Sequence, residues 1–183
     1  MIGARRRPPI GVVRQITRAP SPMVAYLVPW LSVAVGSLLP DLPVIAPAPV
    51  MPPLGFLMLL GWRQLRPGLL PVWAGLPLGL VDDLFSGQPF GSAILLWSVT
   101  MLALDVIEAR FPWRNFVIEW AVAAVMIAAY VALTGGIALV AGSHAPIMLL
   151  VPQAIAAVVL YPVVARVIAW LDRKRLRPFR VFG

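Results

Sequence analysis

The sequence has no cysteine and a single histidine, His144, among its 183 residues. Disulfide bonds and thiolate metal sites are therefore excluded. Charged residues make up only 12% of the chain, where an ordinary soluble domain has about 25%. No glycine-rich nucleotide-binding pattern and no cluster of metal-ligating residues is present. We therefore expect no metal, no cofactor and no catalytic constellation.

Apolar residues are abundant, at 61% of the chain. A chain of this length cannot bury so much apolar surface, so its main solvent is expected to be lipid. A helix needs about 20 residues to cross a hydrocarbon core of about 30 Å. Six apolar segments predict an all-α integral membrane protein with six short transmembrane helices: 23–39, 48–62, 68–85, 90–108, 116–141 and 146–171.

Prolines complicate two of these segments. Because Pro52 and Pro53 follow two further prolines, a regular second helix can begin only near them. Pro71 and Pro77 predict a kink in the third helix.

The basic residues indicate a topology. The chain has 15 Lys and Arg against 7 Asp and Glu, a balance that would suggest nucleic-acid binding in a soluble protein. All 15 fall on one side of the six-helix arrangement, so the positive-inside rule predicts both termini in the cytoplasm. Because topology accounts for the basic residues, we expect no role for nucleic acid. The expected division is a basic cytoplasmic tail (1–22), a transmembrane domain (23–171) and a second basic tail (172–183). No convincing cleavage site follows the first apolar segment, so we expect it to be retained.

The C-terminal basic run either binds anionic lipid headgroups or only sets topology.

Two adjacent carboxylates, Asp82 and Asp83, end the third helix, and a tight connection with Gly87, Pro89 and Gly91 follows them. Ionisable residues at membrane depth are costly and are functional candidates. The alternative is that they are solvated at the outer interface, which we expect for Asp82. For Asp83 we expect a role in holding the connection in one shape.

Asp83 lies where the helix carries a partial negative charge, so a hydrogen-bond donor should offset its cost. The candidates are water, the backbone N–H groups of Ser86 or Gly87, and a group on a partner. The whole turn at 87–91 has N–H groups within reach, so we expect a local contact first.

This stretch resembles a pattern of the rod shape-determining protein MreD family, Gly-Leu-x-x-Asp-Leu-x-x-Gly-x-x-x-Gly. The match is carried by Gly79, Leu80, Asp83, Leu84, Gly87 and Gly91, with Pro89 in its usual place. The apolar run after Pro53, the following Arg63 and Arg66, and the Tyr161-Pro162 pair are also similar to that family. The resemblance covers about residues 48–171.

The resemblance implies a non-catalytic, multi-pass component of the bacterial inner membrane. Family members belong to the elongation machinery that builds lateral peptidoglycan and maintains rod shape. Their partners are the bitopic protein MreC, the glycan polymerase RodA with its penicillin-binding transpeptidase, and the actin-like MreB. The family fold is similar to the substrate-capture subunits of energy-coupling-factor transporters, although fold does not transfer function. One alternative is a small-molecule-binding transporter subunit. Another is a small membrane-embedded transferase or hydrolase. For the enzyme, a Ser–His–Asp site could be formed from Ser86, His144 and Asp83, although nothing in the sequence brings them together.

Small residues and charges suggest further contacts. Gly75 and Gly79 form one small-xxx-small pair, and Ala124, Ala128 and Ala132 form another series, for internal packing or for a partner helix. A charged group surrounds the loop between the fourth and fifth helices, either paired internally or docking a cytoplasmic partner: Asp105, Glu108, Arg110, Arg114 and Glu119.

Overall fold

A computed structural model describes residues 22–41, 51–110, 115–142, 148 and 150–176. These residues form six α-helices and contain no β-strand. The basic tails, most of the proline-rich segment, the loop at 111–114 and the only histidine lie outside the described residues. The helices are α1 (Pro22–Leu38), α2 (Leu54–Leu65), α3 (Gly75–Phe85), α4 (Ser92–Arg110), α5 (Phe116–Val140) and α6 (Leu150–Arg175).

Prolines set the starts of α2 and α3. The second helix begins directly after Pro53 rather than at residue 48. The third begins at Gly75 rather than at residue 68, because Pro71 is extended (φ −64°, ψ 155°) and a short 3-10 turn, Val72–Ala74, follows it. Pro77 lies in the first turn of α3, where the missing N–H costs little. The predicted kink is therefore wrong, and the chain breaks before the helix instead.

Within the described part of the chain, three helices are long and apolar enough to cross a membrane: α4, α5 and α6, with 19, 25 and 26 residues. The apolar α1 is shorter, at 17 residues. The 12 residues of α2 and the 11 of α3 correspond to about 18 Å and 17 Å at 1.5 Å per residue. Neither of these two helices alone matches a hydrocarbon core of about 30 Å.

The shortest helices are the most enclosed. Nine of the 12 residues of α2 are buried, and the helix packs against α1, α4, α5 and α6. Phe56 of α2 stacks on Tyr130 of α5 with 4.1 Å between ring centroids, and Trp97 of α4 lies beside it. Because its neighbours cover it, α2 does not have to face lipid along its length.

The helices alternate in direction, so their ends form two groups. At one end, the start of α1 meets the end of α6 through Ala25 and Arg175, and the end of α2 meets α4 through Arg63 and Asp105. We call this the basic end, because the described Arg and Lys residues lie in the helix halves that meet there. We call the opposite end, where α3 connects to α4, the hairpin end.

Large apolar side chains cover the outside of the bundle. On α4 they form a stripe with more than half of each residue exposed: Leu95, Val99, Leu102 and Val106. A similar stripe on α6 consists of Val151, Ile155, Val159 and Val163. Exposed apolar surface of this extent marks contact with lipid or with other proteins.

Candidate functional site

The connection between α3 and α4 rests on close contact between the two helix backbones. A Cβ atom added to Gly75 would lie 2.8 Å from the Ser98 backbone nitrogen, and one added to Gly79 would lie 2.7 Å from the Ala93 carbonyl oxygen. Real Cβ atoms do not approach other atoms so closely, so only glycine fits at both positions. The Gly75–Gly79 pair therefore serves packing inside the bundle.

Asp83 joins the end of α3 to the start of α4. Its carboxylate accepts hydrogen bonds from the backbone N–H groups of Gly91 (3.0 Å), Ala93 (2.9 Å) and Ile94 (3.1 Å). The Ser92 hydroxyl donates a fourth, at 3.3 Å. Asp83 is only 5% exposed. It therefore caps the N-terminus of the neighbouring helix from across the turn.

This arrangement explains how a buried carboxylate is accommodated. The first N–H groups of a helix have no partner within it and carry a partial positive charge, which an anion satisfies. The same interaction offsets the repulsion between Asp83 and the C-terminal end of its own helix. The expectation that the turn at 87–91 supplies a donor is confirmed for Gly91, whose N–H donates to Asp83. Ser86 was the wrong candidate, because its N–H donates to the Asp82 carbonyl within α3 (2.8 Å). The remaining donors come from the first turn of α4.

The turn itself needs two glycines. Gly87 has φ of 63° and Gly91 has φ of 94°, a region that costs other residues about 1–2 kcal/mol. Between them the Pro89 carbonyl accepts from the Ser92 N–H at 3.0 Å. The glycine and aspartate pattern that suggested the resemblance thus corresponds to one local unit. In this unit the close contact of α3 with α4, the cap by Asp83 and the turn between the helices depend on each other.

Asp82 occupies a different environment from the one expected. It is 7% exposed rather than solvated. Its side chain borders a pocket of about 170 Å³ at the hairpin end, where the ends of α1 and α3 meet the beginnings of α2 and α6. Ser37, Gln88 and Gln153 also line this pocket.

A second polar group, at the basic end, centres on Arg63. Its guanidinium pairs with Asp105 at 2.7 Å and with Glu108 at 3.1 Å, while the Arg63 side chain is only 3% exposed. Next to it, Gln64 accepts from the Tyr161 hydroxyl at 2.6 Å and thereby links α2 to α6. The acidic residues at the end of α4 thus pair with the core of the bundle rather than only around their own loop.

Arg175 and Asp172 complete the basic end. Asp172 pairs with Arg175 at 2.7 Å and with Arg66 at 3.0 Å. Arg175 also donates to the Ala25 carbonyl at 2.6 Å and lies over the ring of Trp62. The positive-inside pattern does not distinguish the buried Arg63 and Arg175 from solvated arginines. Only the Asp172–Arg175 spacing, one helical turn apart, hints at their pairing.

The alanine series of α5 lies toward the outside. Ala124 is partly buried, whereas Ala128 and Ala132 are exposed.

Among the described residues, no group of three or more His, Asp or Glu side chains is arranged to hold a metal ion. The hypothetical Ser86–His144–Asp83 arrangement involves a residue outside the described part of the chain, and the Asp83 carboxylate is engaged by α4. Comparison of the chain with known protein families, curated proteins and solved structures finds no match.

Proposed function

We propose that this chain is a non-catalytic, six-pass scaffold of the bacterial inner membrane, similar to the MreD family. In this role it positions an MreC-like partner and the RodA-type polymerase with its transpeptidase for lateral peptidoglycan synthesis, and MreB acts with them directly or indirectly. Both termini face the cytoplasm in this proposal, as the distribution of the 15 basic residues predicts.

The observation that carries the proposal is the use of Asp83. An intramembrane carboxylate is a functional candidate by default, and here four donors of α4 and its preceding residue occupy it. A carboxylate held in this way organises a rigid hairpin instead of exchanging protons or attacking a substrate. Such a hairpin suits a surface that another protein recognises.

The exposed apolar stripes also support a scaffold. On α4 and α6 they offer long faces that lipid or the transmembrane helix of a partner can cover. Asp105 contributes a half-exposed carboxylate at the basic end, where a cytoplasmic partner would arrive.

Depletion of the chain in a rod-shaped host tests the proposal. Cells are expected to round up and to lose lateral incorporation of labelled wall precursor, while the protein's removal leaves septal incorporation in place. Normal width and normal lateral incorporation after depletion would refute the elongation role.

The alternative, a small-molecule-binding transporter subunit, is favoured by one observation, the pocket beside Asp82 at the hairpin end. That alternative predicts association with a transport ATPase and uptake that stops when the chain is depleted. Loss of uptake without a change of cell shape would favour the transporter subunit over the scaffold.

A further inference from the structure

Another pocket opens on the side of the bundle, toward the basic end. It has a volume of about 270 Å³ and lies between the last turns of α2, the first turns of α5 and the second half of α6. Three of the residues that line it, Phe116, Trp120 and Arg166, are exposed. The pocket is therefore open to the surroundings of the bundle, and an occupant can enter it from the side.

Pro162 shapes the wall between α5 and α6. Because proline has no N–H, the Val158 carbonyl, one turn earlier in α6, lacks its usual helical donor. The indole N–H of Trp120 in α5 donates to that carbonyl at 3.3 Å. The indole is therefore held across the two helices, where it forms an aromatic wall of the pocket.

The inner lining of the pocket is apolar or already hydrogen-bonded. Gly61 of α2 and Ala165 of α6 contribute small apolar groups. The buried Gln64 amide donates to the Glu119 backbone carbonyl at 3.1 Å and accepts from the Tyr161 hydroxyl at 2.6 Å. Because these polar groups have partners within the bundle, the inner lining favours an apolar group.

The rim of the pocket carries a cation. Arg166 is the only Lys or Arg among the described residues that line it, and it forms no ion pair or side-chain hydrogen bond with another described residue. Glu119, on the α5 wall, has an interaction of its own. Arg166 comes three residues after Val163, the last member of the exposed apolar stripe on α6. An arginine that follows a lipid-facing stripe extends its guanidinium toward the headgroups.

We propose that this pocket binds an anionic phospholipid, with the phosphate at Arg166 and the upper part of an acyl chain against Trp120 and Ala165. An apolar interior with a cation at its exposed rim matches an amphiphile. A free anion would use Arg166 alone, and such an exposed pairing is weak. A quaternary ammonium on the headgroup would bring a second cation to Arg166, so a lipid with net negative charge is favoured over a zwitterionic one. The inference requires a membrane location, but it holds for a scaffold and for a transporter subunit alike.

Native mass spectrometry of the purified full-length chain tests the proposal. The probes are phosphatidylglycerol and phosphatidylcholine with identical acyl chains, together with free glycerol phosphate. We expect phosphatidylglycerol to bind about fivefold more tightly than phosphatidylcholine, since one basic residue near the headgroups favours an anionic lipid by about that factor. Free glycerol phosphate should displace little lipid. Displacement by glycerol phosphate at a concentration equal to that of the lipid would assign the pocket to a soluble anion and overturn the proposal.

Matched variants separate the pocket from the general positive charge of the basic end. Arg166→Gln is expected to abolish the preference for phosphatidylglycerol. Arg173→Gln makes the same change at an exposed residue two turns further along α6, outside the pocket lining, and should leave the preference unchanged. Ala165→Leu fills the pocket without a change of charge and should weaken the binding of both lipids. Ala128→Leu, on the exposed side of α5, should not weaken it.

Two results would contradict the lipid site. Equal affinities of the two lipids for the unaltered chain would remove its basis. Equal losses of preference in Arg166→Gln and Arg173→Gln would show a general charge effect instead of a site. Thermal unfolding verifies that each variant is folded, and if Ala165→Leu is not, the comparison of the two arginine variants decides.

Discussion

Replacing Asp83 by alanine removes the acceptor of four hydrogen bonds at the start of α4. The N–H groups of Ala93 and Ile94 then lose their partner in a buried setting. Loss of a helix cap costs about 0.5–2 kcal/mol, and each buried donor left without a partner costs about 1–3 kcal/mol. Because these terms overlap, we expect Asp83→Ala to destabilise the protein by about 3 kcal/mol.

Asp83→Asn separates hydrogen bonding from charge. The amide keeps one carbonyl oxygen, but its NH₂ group faces N–H donors where the second carboxylate oxygen was. About half of the stabilisation should therefore remain, a loss of about 1.5 kcal/mol. Asp82→Ala is the matched control on the neighbouring residue, which borders the pocket and does not cap α4.

Thermal unfolding of the purified protein and complementation of cell shape measure these effects. We expect Asp83→Ala to lower the unfolding midpoint by about 6–12 °C and to impair complementation more than Asp83→Asn, with Asp82→Ala comparatively mild. Membrane levels are compared in each strain, so that loss of protein is distinguished from loss of function. Full complementation and an unchanged midpoint for Asp83→Ala would show that the cap is not needed.

Three further predictions follow from the packing, the basic end and the topology. Gly79→Val is expected to force α3 away from α4, because its Cβ would meet the Ala93 carbonyl at 2.7 Å; disulfide trapping between cysteines introduced into α3 and α4 should then fail where it succeeds in the parent. Arg63→Met should destabilise the protein by about 1–3 kcal/mol, measured by thermal unfolding, since Asp105 loses its buried cation while its own side chain, at 58% exposed, remains in contact with solvent; an unchanged midpoint would mean that the pair contributes nothing. Reporter fusions at both termini should report cytoplasm and one near Ser143 the outside, and opposite locations for the termini would exclude an even number of spans.

Apolar runs and prolines predicted the helices well because both act locally. The fifth helix was expected at 116–141 and extends over Phe116–Val140. The proline constraint correctly placed the start of α2 beside Pro53. The start of α3 was missed because a proline in a helix-like run can produce either a kink or a break, and tertiary packing decides which.

The partners of the charged residues were less predictable. A sequence indicates that a carboxylate such as Asp83 needs donors, but the nearest donors along the chain are not the ones that the turn brings to it. For a related reason, the sequence did not indicate that Arg63 and Arg175 are buried. The positive-inside rule predicts basic residues at one end of the helices whether or not they are buried. The same pattern therefore gives no sign of their role in packing.

Two small residues on the exposed face of α5 have no packing role inside the bundle. Ala128 and Ala132 lie outside the core, although their spacing is also that of an internal packing motif. Small residues allow close approach of another helix in lipid. Cysteines introduced at these two positions should therefore cross-link to a partner helix that packs on this face.

The most direct measurement of the proposed role is purification of the tagged, full-length chain from native membranes, followed by identification of the proteins that accompany it. The account predicts that a bitopic MreC-like protein and a RodA-type polymerase with its transpeptidase are enriched, and that Asp83→Ala at an equal membrane level reduces their yield. Recovery of a transport ATPase in their place, with none of the wall-synthesis proteins, would contradict it.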